Sequence, residues 1–376
     1  MRVLIFPRDI RRVDNPYGEL LYRDMANFGV EIDCFSPWRA LCGKYDIFHL
    51  HCPEYYLNRP LPKALVGTFM VLFSTAWLRR RGTRILWTVH NVHSHALAHP
   101  ALEAWFWRRF TAMLDGLVSL SDSCTKWVET DVPRLRRGKI AFIPHGHYRD
   151  AYPAAIARTC ARHALGLTAQ PTVLLFFGGI SSYKNVPHLI TTFRDAALPD
   201  TIMLIAGRAD SKKYGRQVKI AANADHCIRL DLRRIPREEV QMLFSAADLV
   251  VLPFSDIMHS GSAILALSFN KPVLVPARGS LPELQAKVGP EWVRTYDGEL
   301  TPEILTAAAT WAKTSKREPR LDLSSFNWPH IVQATVELYS RLCAQALPSR
   351  QPGQPTADVQ RQLNFEGSSF EGSSQI

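Results

Sequence analysis

The segment FFGGISSYKNVPHLI (176–190) has the residue types of an anion cradle. Gly178 and Gly179 let a backbone approach a ligand closely, and Lys184 sets an ammonium just before a helix. LIAGRADSKKY (204–214) repeats the arrangement, with Arg208 as a second cation. HSGSAILAL (259–267) opens a helix on small, hydroxyl-bearing residues. Free N–H groups at such a start, with the helix dipole, attract phosphate. Ser260, Gly261 and Ser262 would form the rim. Each segment also has a plainer reading, as an ordinary turn with a solvated lysine or as a serine cap. All three fall at the carboxyl ends of expected strands in one half of the chain. That convergence predicts a nucleoside diphosphate site.

The elements that must position these residues can be read from periodicity. RVLIF (2–6), VEIDCFS, DIFHLH (46–51), RILWTVH (84–90), GLVSLS (116–121) and KIAFIP (139–144) are apolar runs of strand length. Helical stretches separate most of them, the first carrying Leu20, Leu21, Met25 and Phe28 as its apolar side and Gly29 as its cap. The pattern restarts with strands at 172–180, 201–207, 226–232, 247–254 and 272–277, and helices near 186–197, 211–223, 236–246 and 262–269. Such alternation is the mark of doubly wound α/β domains. Two Rossmann-like halves are expected, 1–150 and 151–328, with ligands at the carboxyl ends of the strands and a cleft between the halves. A terminal helix (329–346) and a disordered tail (347–376) ending in a tandem FEGSS repeat complete the expectation.

Composition bounds the partners. The 376 residues are 47% hydrophobic, enough for two ordinary cores, and the net charge is +11. Residues 1–150 hold 21 Lys and Arg against 14 Asp and Glu, so the basic surplus sits mostly in the first half. An anionic partner follows. The basic residues accompany apolar runs rather than a nucleic-acid module, so nucleic acid is not expected. Seven scattered cysteines without a C-x-x-C pair argue against disulfides or a zinc site and for a reducing compartment. The opening residues lack the pattern of a signal peptide.

ALVGTFMVLFSTAWL (64–78) has no charge and is followed by Arg79, Arg80 and Arg81. It is short for a membrane span, which needs about 20 apolar residues. It suits either a core helix or a helix lying on an anionic membrane surface. AWFWRRF (104–110) repeats the aromatic-plus-arginine theme and favours the membrane reading.

GGISSYKN, AADLVVLPF and NKPVLVP…GSLPEL resemble the donor-binding half of GT-B glycosyltransferases, and the likeness runs over about residues 1–345. In the commonest retaining branch of that superfamily two glutamates lie in the segment DIMHSGSAILALSFNKPV (256–273). Here their places fall on Ile257 and Leu265. The segment resembles instead the serine- and glycine-rich turn of inverting β-mannosyltransferases. DNPYGELLYRDM (14–25), FHLHCPEYY (48–56), WTVHNVHSHA (87–96) and IPHGHYRDAYP (143–153) are together similar to the bacterial β-1,4-mannosyltransferases of exopolysaccharide assembly. That resemblance implies mannose transfer from GDP-mannose to a diphosphopolyprenyl-linked oligosaccharide at the cytoplasmic face of the inner membrane, by a peripheral enzyme. Ala96 departs from the carboxylate often found in the third motif.

Inversion is a single displacement that needs a base for the acceptor hydroxyl and charge stabilisation for the leaving diphosphate. Base candidates at strand ends of the first half are Glu54, Asp14, His93, His95 and Asp122, with Glu54 preferred. His90, Asn91 and His145 are expected at the donor with Gly179, Lys184 and Arg208; Asn15, Tyr17, His51 and His147 are expected at the acceptor. No D-x-D metal motif is evident, so no metal or other cofactor is expected. Two alternatives stand beside this reading: a related transferase using UDP-glucose or a similar donor, and a nucleotide- or polysaccharide-binding protein without catalysis.

Overall fold

A computed structural model describes residues 1–7, 15–91, 98–131, 139–167 and 171–344. Asp14, His93, His95 and the 347–376 tail lie outside the described residues.

Two six-stranded parallel sheets carry the chain. The first is built from β1 (Arg2–Phe6), β2 (Glu31–Cys34), β3 (Ile47–Leu50), β4 (Arg84–Thr88), β5 (Gly116–Ser119) and β6 (Ile140–Phe142), in the order β2-β1-β3-β4-β5-β6. Its helices are α1 (Tyr17–Arg23), α2 (Pro37–Cys42), α3 (Leu61–Arg80), α4 (Pro100–Thr111) and α5 (Asp122–Asp131). The second is built from β7 (Thr172–Phe177), β8 (Thr201–Ala206), β9 (Ile228–Asp231), β10 (Leu249–Val251), β11 (Val273–Pro276) and β12 (Val293–Tyr296), in the order β12-β11-β10-β7-β8-β9. It is flanked by α6 (Arg158–Ala164), α7 (Val186–Ala196), α8 (Lys212–Ala222), α9 (Arg237–Ala246), α10 (Gly261–Ser268), α11 (Leu281–Val288) and α12 (Pro302–Thr314). The last helix is α13 (Trp328–Ala344).

Strands buried on both faces must be apolar throughout, and β3, β5 and β11 are buried at every position. In each sheet the chain leaves its first strand in one direction and later crosses to the other side. The crevices at those reversals lie between β1 and β3 and between β7 and β10. Ligands bind in such crevices because the diverging loops leave the strand ends open. The loop after β3 carries Glu54. The loops after β7 and β10 carry Lys184 and Ser260.

Five features differ from the sequence reading. α1 stops at Arg23 and tightens into a 3₁₀ turn over Met25–Phe28, which rotates Phe28 outward to 48% exposure while Met25 stays buried. The strand β12, whose Val-Arg-Thr-Tyr run mixes polar and apolar residues at a sheet edge, was not expected, nor were the short helix α2 and the Pro-containing α11. The charge-free stretch belongs to a helix of 20 residues. Among the described residues α3 is the helix long and apolar enough to cross a membrane, yet 44% of its apolar window is buried against protein. One face, with Ala64, Val71 and Leu78, packs on the core; Leu65, Val66, Phe69, Phe73 and Trp77 are exposed.

The terminal helix returns to the first sheet. The Tyr339 hydroxyl lies 2.7 Å from His49 Nδ1, and Leu342 packs beside Gly116. Trp328 Nε1–H donates to the His147 carbonyl (2.6 Å), so the helix also fastens the crossover between the two sheets.

Candidate active site

The donor side forms where β7 and β8 end. A Cβ on Gly207, whose φ is +144°, would lie 1.9 Å from the Gly178 carbonyl oxygen. Only glycine permits that backbone approach. Lys184 stands at the end of a 3₁₀ turn (Ser182–Lys184), and Asn185, at φ 53°, swings the chain into α7. The Lys184 ammonium and the Ser262 hydroxyl both reach within 3.1 Å of the Cβ position of Gly178. Thus the three sequence segments proposed to share one anion do meet. Burial between the rings of Tyr183 and Phe254 pushes the Lys184 ammonium down to about 8, partly offset by Asp210. A cation held dry in this way gains most from an arriving diphosphate.

Ser260 Oγ accepts from the Ala263 N–H (3.1 Å), so the plainer reading of this helix start, a serine cap, is present. By helix geometry the Gly261 and Ser262 N–H groups have no intrahelical acceptor. Beside them a cavity of ≈ 540 Å³ is lined by Gly178, Gly179, Arg208, Arg234, Arg237 and Glu238 among others, a size that suits a nucleotide. Ile257 and Leu265 are both buried core residues, so neither place offers a polar group.

Facing α10 is a group of rings from the first sheet and the crossover. Tyr17 packs on His90 and His145 with centroids 4.9 and 4.8 Å away. Tyr148 donates to Asn15 Oδ1 (2.7 Å), and its hydroxyl lies 3.0 Å from the Cβ position of Gly261. A side chain at 261 would close this junction between the two sheets. His145 Nδ1–H donates to the Gly146 carbonyl (2.8 Å), which leaves Nε2 as the acceptor nitrogen. Burial pushes His145 down to about 4 and His259 down to about 3, with His145 adding to the latter effect. His90 is held well below its usual range by burial and by His145, His259 and His49. The cluster is therefore neutral at pH 7.

Glu54 sits in the 3₁₀ turn Pro53–Tyr56, just past β3, and is 7% exposed. Its side chain bonds to Asn91, and Oε2 has no hydrogen-bond partner among the described residues. Burial, with a smaller push from Glu103, raises its carboxyl to about 7. A carboxyl poised near neutrality with one free oxygen has the properties of a general base.

Of the other expected residues, His51 and His147 are engaged by the protein and Asp122 is exposed. His51 is 1% exposed, with both ring nitrogens engaged, by Tyr22 and His90, and so offers none to an acceptor. His147 is likewise engaged, with Asn327 through Nε2 (2.8 Å) and the Arg149 N–H through Nδ1 (3.3 Å). Asp122 is exposed at the start of α5, where Ser121 Oγ caps the Cys124 N–H (3.0 Å). Residues the sequence reading did not single out include His259, whose buried Nε2 has no partner among the described residues, and Tyr148. Also missed was the pair Arg237–Glu19, which ties the donor cavity wall to α1. The position of His259 directly before the Ser260 cap was the available signal.

The description "Glycosyl transferases group 1" matches residues 158–289. A GDP-mannose:glycolipid 4-beta-D-mannosyltransferase of Xanthomonas campestris pv. campestris is 32% identical over 330 residues, covering 86% of this chain and 88% of that protein. An alpha-maltose-1-phosphate synthase of Mycobacterium tuberculosis is 23% identical over 63% of this chain and 66% of its own length. Among solved structures, sucrose-phosphate synthase from Thermosynechococcus elongatus superposes with a TM-score of 0.70 at 18% identity, over 92% of this chain and 99% of that one. Anabaena HepE in complex with UDP-glucose gives 0.60 at 15%, over 92% and 99%. These two show the fold, which is GT-B. Because the mannosyltransferase match spans most of both chains, this chain belongs to that relative's glycosyltransferase family and is a GT-B glycosyltransferase.

Proposed function

We propose that this glycosyltransferase moves mannose from GDP-mannose to a diphosphopolyprenyl-linked oligosaccharide, with inversion, at the cytoplasmic face of the inner membrane. Exopolysaccharide assembly would be its setting. The donor and the glycolipid acceptor are those in the name of the Xanthomonas relative.

The observation that carries the mechanism is Glu54, a buried carboxyl raised to about 7 with a free Oε2. In this reading Glu54 takes the proton from the acceptor hydroxyl as the hydroxyl oxygen attacks the anomeric carbon. The bond to the diphosphate breaks on the opposite face. The charge left on the diphosphate falls on Lys184, Arg208 and the N–H groups of α10. With Ile257 and Leu265 in the core, neither of those places supplies a carboxylate nucleophile for a two-step route. The leaving group has its own cations and dipoles, so no divalent metal is needed, and activity should survive EDTA.

The apolar face of α3 supports a membrane partner. Val66 and Phe69 are 72% and 65% exposed, and the rings of Phe69, Phe73 and Trp77 stack in one row. Arg79, Arg80 and Arg81 close the helix. Such a face enters the acyl boundary while its arginines meet lipid phosphate.

The test is product analysis. Purified enzyme is mixed with GDP-mannose or UDP-glucose and a lipid-linked acceptor, and the new linkage is read by proton NMR. A β-mannoside is expected. An α-glycoside overturns inversion, transfer only from UDP-glucose overturns the donor, and donor binding without any transfer favours a binding protein.

A further inference from the structure

A second cavity, of ≈ 490 Å³, lies under the amino ends of β1, β3 and β4. It is at the opposite end of the first sheet from Glu54 and His90, which follow the carboxyl ends of β3 and β4. Arg2 opens β1, Arg84 opens β4 and Asp46 precedes β3, and Ile47 pairs with Arg84 in register. Lys44 and Arg81 complete the charged lining. Arg2 is taken by Asp33 (2.9 Å) and Arg84 by Asp115 (3.5 Å), while Asp46 accepts the Arg2 N–H (2.7 Å). Among the described residues Lys44 and Arg81 have no carboxylate partner, so the cavity has a positive surplus that the protein itself does not neutralise.

Two features set this place apart from an ordinary solvated basic surface. The first is that Arg81 is held. Its Nη1–H donates to the Leu41 carbonyl (2.6 Å), and its guanidinium lies 5.9 Å from the centre of the Trp77 ring. A cation already fixed in place loses little freedom when an anion arrives. The second is an apolar rim. Trp77 Nε1–H donates to the same Leu41 carbonyl (3.1 Å), and the Trp77 ring ends the exposed row that begins at Phe69. Leu41 and Trp38 of α2 are 39% and 72% exposed beside it. A free phosphate has no use for such a rim. A phosphate that carries acyl chains does, since tryptophan and arginine together suit the level of the headgroups.

We propose that this cavity binds the phosphodiester headgroup of an anionic phospholipid, with Lys44 and Arg81 as the cations that hold it. The proposal rests on the reading of α3 as a membrane-surface helix and gives that surface a discrete site. α3 has 20 residues and is about 30 Å long. Its first half packs at the Glu54 turn, where the Tyr56 ring fills the space beside Gly67, and its last residues lead into the cavity. A headgroup bound at the far end therefore adds a second point of attachment to the one at the cleft. Two points fix the direction of the helix on the membrane, where the exposed row alone leaves it free to turn.

The test is flotation of the full chain with phosphatidylcholine vesicles that carry a fixed fraction of phosphatidylglycerol. It compares wild type with Lys44→Ser and Arg80→Ser. Arg80 ends α3 outside the cavity, so each substitution removes one exposed charge from the same end of the domain. Lys44→Ser should lose about 10–100-fold in vesicle affinity, the size of one charged hydrogen bond, and Arg80→Ser about fivefold. Lys44→Arg should recover most of the loss. Equal losses in the two serine variants overturn the proposal, because diffuse attraction does not tell one exposed cation from another. A second arm uses glycerophosphoglycerol, the same headgroup without acyl chains, in calorimetry without vesicles. Wild type should bind it and Lys44→Ser should not. If the probe binds in this way but wild type ignores the vesicles, the lipid source and the reading of α3 both fail and the ligand is a soluble phosphate ester. If the vesicles bind wild type and Lys44→Ser alike and the probe does not bind, the reading of α3 stands and the headgroup site fails.

Discussion

The Glu283 carboxylate reaches from α11 of the second domain to the start of α5 in the first, where it accepts the N–H groups of Asp122 (2.9 Å) and Ser123 (2.7 Å). The Ser123 hydroxyl donates to the same carboxylate. An acid from one domain thus serves the helix dipole of the other, an arrangement possible only while the cleft is closed. Glu283→Gln keeps the shape and removes the charge, worth about 1 kcal/mol at a helix start. The expected result is a shift of about fivefold toward an open cleft. It would be read as a larger radius of gyration in X-ray scattering and a higher KM for the donor. Identical scattering and KM would mean that the contact does not govern closure.

Glu54 should show opposite effects on rate and stability. As a base it works ionised, so kcat/KM should rise with pH through about 7. Glu54→Gln should lower kcat by about 10²–10⁴-fold and leave donor affinity unchanged. Its carboxyl is raised on folding, so the native state favours the proton. That contribution is whole below the unfolded value and is lost as pH rises through about 7. The ionised form then costs on the order of 3 kcal/mol. Glu54→Gln should therefore be more stable than wild type at pH 8.5 and close to it at pH 4.5, by thermal denaturation. A near-normal kcat would remove Glu54 from the reaction and pass the role to Asp14.

Lys184 makes donor binding depend on pH. Only the ammonium attracts a diphosphate, and burial has brought it down to about 8. GDP affinity should be level below pH 7 and fall as pH rises through about 8, with proton uptake on binding visible by calorimetry in two buffers. Lys184→Ala should lose about 10–100-fold in affinity, the size of one charged hydrogen bond, and should lose this pH dependence as well. A variant with wild-type affinity would disqualify the site.

The exposed face of α3 predicts two distinguishable kinds of membrane binding. Phe69→Ser and Phe73→Ser remove apolar area worth about 1.5–3 kcal/mol each if the rings are buried in lipid, at any salt concentration. Arg79, Arg80 and Arg81 replaced by Ser should weaken flotation with anionic vesicles by about 1 kcal/mol per residue, mostly at low salt. Wild-type protein that ignores anionic vesicles would leave the face without a lipid partner.

The two parallel sheets and the turns that carry Gly178, Lys184 and Ser260 were legible in the sequence because their causes are local. An apolar run flanked by turns must be a buried strand, and a glycine turn, a lysine and a serine-capped helix are each defined within a few residues. The elements missed were those whose local signals conflict: the mixed β12, the short α2 and the proline-bearing α11. Tertiary structure decided the rest, because burial depends on which surfaces meet. Tyr339 reaches His49 across 290 residues, and Glu283 reaches Ser123 across 160. His51 reads as an acceptor-site residue until the surrounding elements enclose it, and Glu54 reads as a base candidate whose burial no local signal shows. Only when α1, α13 and the crossover close over the strand ends does water leave, and that loss of water makes the histidines neutral, while burial beside Asn91 and Glu103 raises Glu54 toward neutrality.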